Sequence, residues 1–233
     1  MKNGVRNFFS LMLNAAIVVC TIFAISKFFV SQGDANMTVS GTRSLIYFTN
    51  LSNILAALTA LCCIPQNIKN LNSGNNFLPK KLFLFKYVGT VSVFVTFMTC
   101  VFFLAPTNVI SAAARGEGFK FAYYLAFFRG NTFYLHFLTP IMCIISVVFF
   151  ERTTGFKKNH VWLGLLPTVL YSIVYVYEVV IVGFRNGGWF DFYGFTFGGK
   201  LYLAPVSAAV MYAGTWLLAR LLWKWNGKVN KKK

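Results

Sequence analysis

The sequence predicts an all-α polytopic membrane protein: one transmembrane domain over residues 1–233, a bundle of six transmembrane helices with both termini cytoplasmic. Three observations predict it. Hydrophobic residues fill 57% of the positions and charged residues only 12%, whereas about a quarter of a soluble domain is charged. Six near-continuous apolar runs occur at about 8–30, 45–64, 87–105, 132–150, 161–183 and 201–223. Each is close to the roughly 20 residues that a helix needs to cross a hydrocarbon core, and lipid leaves helices as the way to satisfy the backbone. Of the 22 Lys and Arg residues, 15 fall with the termini and the second and fourth loops, and 7 on the opposite side. An excess of basic residues marks the cytoplasmic face.

The elements follow in order. The first run begins after only Lys2 and Arg6, as a signal peptide does, but it is too long for one and no A-x-A-like cleavage site follows. The second opens with "YFTNLSN", residues 47–53, which places Thr49, Asn50, Ser52 and Asn53 at the start of an apolar segment. Loop 66–83 is Asn-rich and reads as a cytoplasmic connector. Loop 106–131 contains "GFKFAYYLAFF", an aromatic stretch suited to lying on the outer membrane face. The fourth run opens with "TFYLHFLTP" and the fifth contains "LYSIVYVYEVVIVG". Before the sixth comes "FRNGGWFDFYGFTFGGK", residues 184–200, either a segment folded back over the outer end of the bundle or an aromatic belt at the interface.

Charge and cysteine usage exclude several functions. The net charge of +17 is spread over loop ends and a short tail, beside anionic headgroups, with no nucleic-acid-binding module. Cys20, Cys62, Cys63, Cys100 and Cys143 all fall inside predicted crossings, lack metal-ligand spacing, and read as small buried hydrophobes. No cofactor or metal is expected.

Ionisable groups inside the membrane are costly and so mark sites. Lys27 and Arg220 lie near helix ends and can snorkel to the headgroups. His136 and Glu178 have no such route. With the N-terminus inside, Thr49, His136 and Glu178 each fall about one turn below the outer surface, at a rise of about 1.5 Å per residue. Their helical faces agree: Thr49, Ser52 and Asn53, with Asn50 at the margin; Thr132, His136 and Thr139; Tyr171, Tyr175 and Glu178. Three polar stripes at one depth predict a single cavity between helices, opening outward. Taken singly, Asn50, Ser52 and Asn53 are of the types that more often hold membrane helices together than carry chemistry, and Glu178 suits an ion pair with Arg43 or Arg129. Thr49 and His136 form the better candidate pair, because a hydroxyl becomes a nucleophile once a neighbouring base takes its proton.

Six crossings in 233 residues, "YFTNLSN" opening the second and "YLHFLTP" opening the fourth, resemble the androgen-induced-gene family of membrane proteins. That family includes hydrolases of fatty acid esters of hydroxy fatty acids, together with bacterial relatives. The resemblance implies that Thr49 is the nucleophile and His136 the base that later protonates the leaving alcohol. In this reading Asn50 or Asn53 stabilises the oxyanion or orients His136, and Glu178 holds the imidazole's other nitrogen. The loop "GWFDFYGFTF" also looks like the aromatic segment before the last crossing of the bacterial relatives, which points to a bacterial plasma membrane.

The leading expectation is therefore an intramembrane threonine hydrolase acting on lipid esters, with membrane lipids as its surroundings and no nucleic-acid partner. The alternatives are a small-molecule carrier, such as the substrate-binding subunit of a vitamin importer using Tyr171, Tyr175, His136 and Glu178 as its pocket, and a non-catalytic scaffold. Oligomeric state and the identity of the ester have no signature in the sequence. Asn36-Met-Thr38 is a glycosylation sequon on the expected outer side.

Overall fold

The computed structural model describes residues 3–30, 40–106, 116, 118–196 and 198–230; the sequon at 36–38 lies outside them. Among the described residues the chain is helical with no strand. Six helices are long and apolar enough to cross a membrane, which makes this a multi-pass membrane protein. We label them α1 (Asn3–Val30), α2 (Phe48–Ser73), α3 (Lys80–Leu104), α5 (Phe133–Phe150), α6 (Lys158–Val182) and α7 (Leu201–Asn230). A short helix, α4 (Phe119–Phe127), occupies the segment expected to lie on the outer face.

Several helices continue past their apolar runs at one end of the bundle. The connector expected at 66–83 is largely helical, because α2 continues through Pro65 to Ser73 and stops at Gly74, whose φ of +68° suits a helix terminator. Its asparagines bond to neighbouring elements. The Asn7 amide donates to the Asn70 carbonyl at 3.0 Å, and the Asn70 amide donates to the Phe77 carbonyl at 3.2 Å. The two termini meet at this same end, where the Arg6 guanidinium donates to Asn230 Oδ1 at 2.7 Å.

Helix α3 is the most buried of the six and α7 the least. Phe83, Tyr87, Val91 and Phe94 of α3 pack against Val147 and Val148 of α5 and Leu222 of α7. A second cluster of Ile17, Ala56, Ala60, Val93 and Cys143 joins α1, α2, α3 and α5 at mid-depth. Small side chains permit the close approach that membrane helices use in place of a hydrophobic driving force. At Gly89 an added Cβ would lie 2.7 Å from the Thr59 hydroxyl and 3.2 Å from Ala56 Cα, so α2 and α3 touch there almost backbone to backbone.

Cys63, Cys100 and Cys143 are buried as expected, but Cys20 is half-buried and Cys62 is exposed. Cys63 faces inward, and Cys62, about 100° further round the same helix, faces outward. The Lys27 ammonium rests 4.5 Å from the centre of the Phe23 ring.

Candidate active site

The four polar side chains of "YFTNLSN" have different duties. Helix α2 starts after Tyr47, an extended residue with no side-chain cap of its own. Its exposed first-turn donors must find partners elsewhere. The Phe48 amide finds one in a distant loop, donating to the Tyr193 hydroxyl at 3.1 Å. Asn50 donates to the Ser44 carbonyl at 2.8 Å, and Ser52 shares a 2.8 Å hydroxyl–hydroxyl bond with Thr96 of α3. Asn53 donates to the Thr49 carbonyl at 2.8 Å and to the Leu135 carbonyl at 3.0 Å. Asn50, Ser52 and Asn53 thus tie the start of α2 to its neighbours, in the way polar groups join membrane helices.

Thr49 differs from these three. It lines a narrow cleft, partly open to the surroundings, walled by Phe48, Thr96, Thr168, Tyr171, Tyr193 and Met211. Tyr193, whose hydroxyl receives the Phe48 amide, stands on the same wall of this cleft. Burial pushes the Tyr193 phenol up to about 12, and its hydrogen bonds offset only part of that rise. Tyr193 therefore stays a neutral hydroxyl. Its oxygen receives the Phe48 amide, and its proton remains available to an acceptor in the cleft. Thr168, on another wall, has a buried hydroxyl without a protein partner. The cleft adjoins a second groove between α6 and α7, with which it shares Tyr171, Phe195 and Met211; Ala204, Ser207 and Ala208 line the far side.

His136 lies on the opening π-turn of α5, next to the residue that Asn53 holds. Its Nδ1 is 2.9 Å from the Ala126 carbonyl, with the Cys100 thiol 3.6 Å away. A carbonyl only accepts, so Nδ1 carries the proton and Nε2 presents the lone pair. Nε2 is buried and has no partner in the protein. The imidazole is thus fixed in the tautomer a general base needs, by Ala126 and not by Glu178.

The single cavity expected from the three stripes divides into separate environments. Thr49 and Tyr171 share the cleft, Tyr175 lines the adjoining groove, and neither His136 nor Glu178 is a wall of either space. No direct hydrogen bond joins Thr49 to His136. Glu178 is half-buried at the start of the π-turn Tyr177–Val182 that closes α6. It makes no ion pair with Arg43 or Arg129. Its contribution comes from the backbone: the Glu178 carbonyl accepts the Gly183 amide at 3.1 Å, and a Cβ on Gly188 would collide with that same oxygen. Asn53 is equally unsuited to donate to an oxyanion, since both its amide hydrogens go to Thr49 and Leu135.

The loop at 184–200 folds over this end of the bundle. The Tyr175 hydroxyl donates to Asp191 Oδ1 at 2.6 Å, the Thr196 amide and hydroxyl donate to Asp191 Oδ2 at 2.7 and 2.6 Å, and the Phe195 amide donates to Oδ1 at 3.0 Å. Burial alone would raise this carboxyl, but the four hydrogen bonds outweigh it and hold Asp191 below the usual carboxylate range. Phe192 packs edge-on against Tyr47. Tyr193, Thr168 and Asp191 were not among the expected site residues. "WFDFYGF" signalled only a carboxylate among aromatics, without the partner to which each would reach.

Comparison of the chain with protein-family models, with curated proteins and with solved structures finds no match.

Proposed function

We propose that this protein is an intramembrane hydrolase of lipid esters, with Thr49 as nucleophile and His136 as base. The observation that carries this reading is the division of duties within one motif. Asn50, Ser52 and Asn53 bond to neighbouring elements, while Thr49 lines an intramembrane cleft. A cleft of mainly apolar walls at that depth is surrounded by hydrocarbon, so an acyl chain is its natural occupant. The groove between α6 and α7 gives such a chain room to extend.

In this mechanism the Thr49 oxygen attacks the ester carbonyl and its proton passes to His136 Nε2. Tyr193 and Thr168 are the hydroxyl donors available to the oxyanion. Collapse breaks the bond to the alcohol oxygen, which takes the proton back from His136 and leaves. Water then attacks the acyl-threonine with His136 again as base, releasing a fatty acid and restoring the Thr49 hydroxyl. Catalytic hydrogen bonds tighten when substrate binds. Asn53 ties the backbone that carries Thr49 to the residue before His136. It is a positioning residue.

The importer-subunit alternative would bind a polar metabolite with Tyr171, Tyr175, His136 and Glu178, of which the two tyrosines line the cleft and groove. Both hydroxyls are engaged, that of Tyr171 to the Ile46 carbonyl at 2.7 Å and that of Tyr175 to Asp191. This favours the hydrolase. We further propose that the end holding both termini is cytoplasmic and that the cleft faces the outside of a bacterial plasma membrane, following the basic-residue excess. The deciding experiment is turnover of a lipid ester by purified protein in detergent, expected for wild type, reduced for Thr49→Ser and absent for Thr49→Ala. Equal turnover by Thr49→Ala and wild type refutes the proposal.

A further inference from the structure

At the opposite end of the bundle from Thr49, two charged side chains are fully enclosed. Lys86 of α3 is 0% exposed and Glu151, just past α5, is 1% exposed. Glu151 Oε1 accepts the Asn14 amide at 2.9 Å and the Ser146 hydroxyl at 2.8 Å, while Oε2 has no donor in the protein. The Lys86 ammonium has three hydrogens and no acceptor in the protein, and no ion pair joins it to Glu151 directly. Asn14 Oδ1 and the Ser10 hydroxyl, one turn apart on α1, are also buried and unpartnered.

These groups converge. Phe83 and Tyr87, which flank Lys86 on α3, pack against Val147 and Val148, one turn before Glu151, so both charges are enclosed between the same helices; Cys63 packs in that cluster and Cys143 lies about two turns back along α5. The remaining cations nearby are engaged elsewhere. Arg6 donates to the Phe149 and Phe150 carbonyls and to Asn230, and Arg152 donates to Asn230.

We propose that Lys86, Glu151, Asn14 and Ser10 form a buried water-binding site that joins Lys86 and Glu151 into a water-bridged ion pair. A buried charge without partners is strongly disfavoured. Two opposite charges in one region, not in direct contact, are satisfied together by a molecule that both donates and accepts. An internal water makes two to four hydrogen bonds, and here the Lys86 hydrogens, Glu151 Oε2, Asn14 Oδ1 and the Ser10 hydroxyl supply them. Neither charge was legible as intramembrane, because each sits one residue outside its apolar run. The bridge clamps α1, α3 and α5 at this end, independently of any chemistry at Thr49.

The test is X-ray hydroxyl-radical footprinting of the whole protein in detergent, which oxidises side chains beside bound water even where bulk solvent is excluded. Oxidation at the buried Cys63 and Cys143 is expected in wild type, with a several-fold loss in Lys86→Met and no change at the exposed Cys62. Unlabelled Cys63 and Cys143 in wild type, or labelling that Lys86→Met leaves unchanged, overturns the proposal. Should Lys86→Met alone fail to fold, the wild-type labelling still decides. Thermal unfolding of Lys86→Met, Glu151→Gln and the double variant gives a second test. Removing one charge strands the other, so the double variant is expected to melt above either single variant. Melting shifts that simply add overturn the ion pair.

Discussion

The Tyr193 hydroxyl accepts the Phe48 amide at 3.1 Å, so a residue from the loop before the last helix caps the helix that presents Thr49. That bond joins positions 145 residues apart and makes one wall of the cleft depend on how the loop docks. Removing it leaves a helix donor unsatisfied, and losing a cap typically costs about 0.5–2 kcal/mol. Tyr193→Phe is therefore expected to lower the melting temperature modestly and to reduce ester turnover disproportionately, because it also removes a hydroxyl from the cleft. Thermal unfolding and kcat/KM measured on one preparation check both effects. Unchanged turnover would confine Tyr193 to capping.

Thr49 and His136 are expected to behave as one unit. His136→Ala should abolish turnover as fully as Thr49→Ala, and the double variant should be no slower than either single one, since groups acting together are strongly non-additive. Interhelical hydrogen bonds in membranes average only about 0.6 kcal/mol, so these variants should fold. Asn53→Ala should fall between them and wild type, acting mainly on kcat. Steady-state kinetics beside melting curves would distinguish lost chemistry from lost structure.

Gly188→Ala tests how the loop seats. A Cβ there would collide with the Glu178 carbonyl and lie 3.0 Å from the Gly183 nitrogen, backbone atoms that cannot rotate aside. The loop should shift, with altered Trp189 fluorescence and reduced turnover. Gly187→Ala is a poor control, because its φ of +89° already strains any side chain. Gly214→Ala, where the space is open, should be silent.

Docking of the loop should also depend on pH. Asp191 is held below its ordinary value, so the folded state favours its ionised form. The stabilisation it provides is full above the unfolded carboxyl value of about 3.9 and is lost as pH falls below that toward the lowered folded value. Trp189 fluorescence followed through acid titration should show a transition in wild type that Asp191→Asn lacks.

Topology has its own test. A reporter fused to the C-terminus should register in the cytoplasm, and one inserted at Gly116 in the loop before α4 should register outside. The reverse pattern would turn the Thr49 cleft toward the cytoplasm and remove water outside the cell as the second substrate.

The sequence by itself determined the six crossings, because hydropathy and a run of about 20 residues answer to the bilayer and need no knowledge of neighbours. It also determined that Thr49 and His136 lie near the entry ends of their helices. Which polar group does what was decided only by tertiary structure, since a helical face fixes direction but not partner. Ala126, from a segment that shows only as aromatic, stands beside the imidazole where Glu178 was expected. Lys86 and Glu151 fall just beyond the apolar runs and look like ordinary flanking charges. The extension of α3 back to Lys80 enclosed Lys86, and the packing of α1 against the end of α5 enclosed Glu151. Hydrophobicity is a property of each residue, whereas satisfying a buried polar atom requires a particular second atom, and that atom is supplied by the fold.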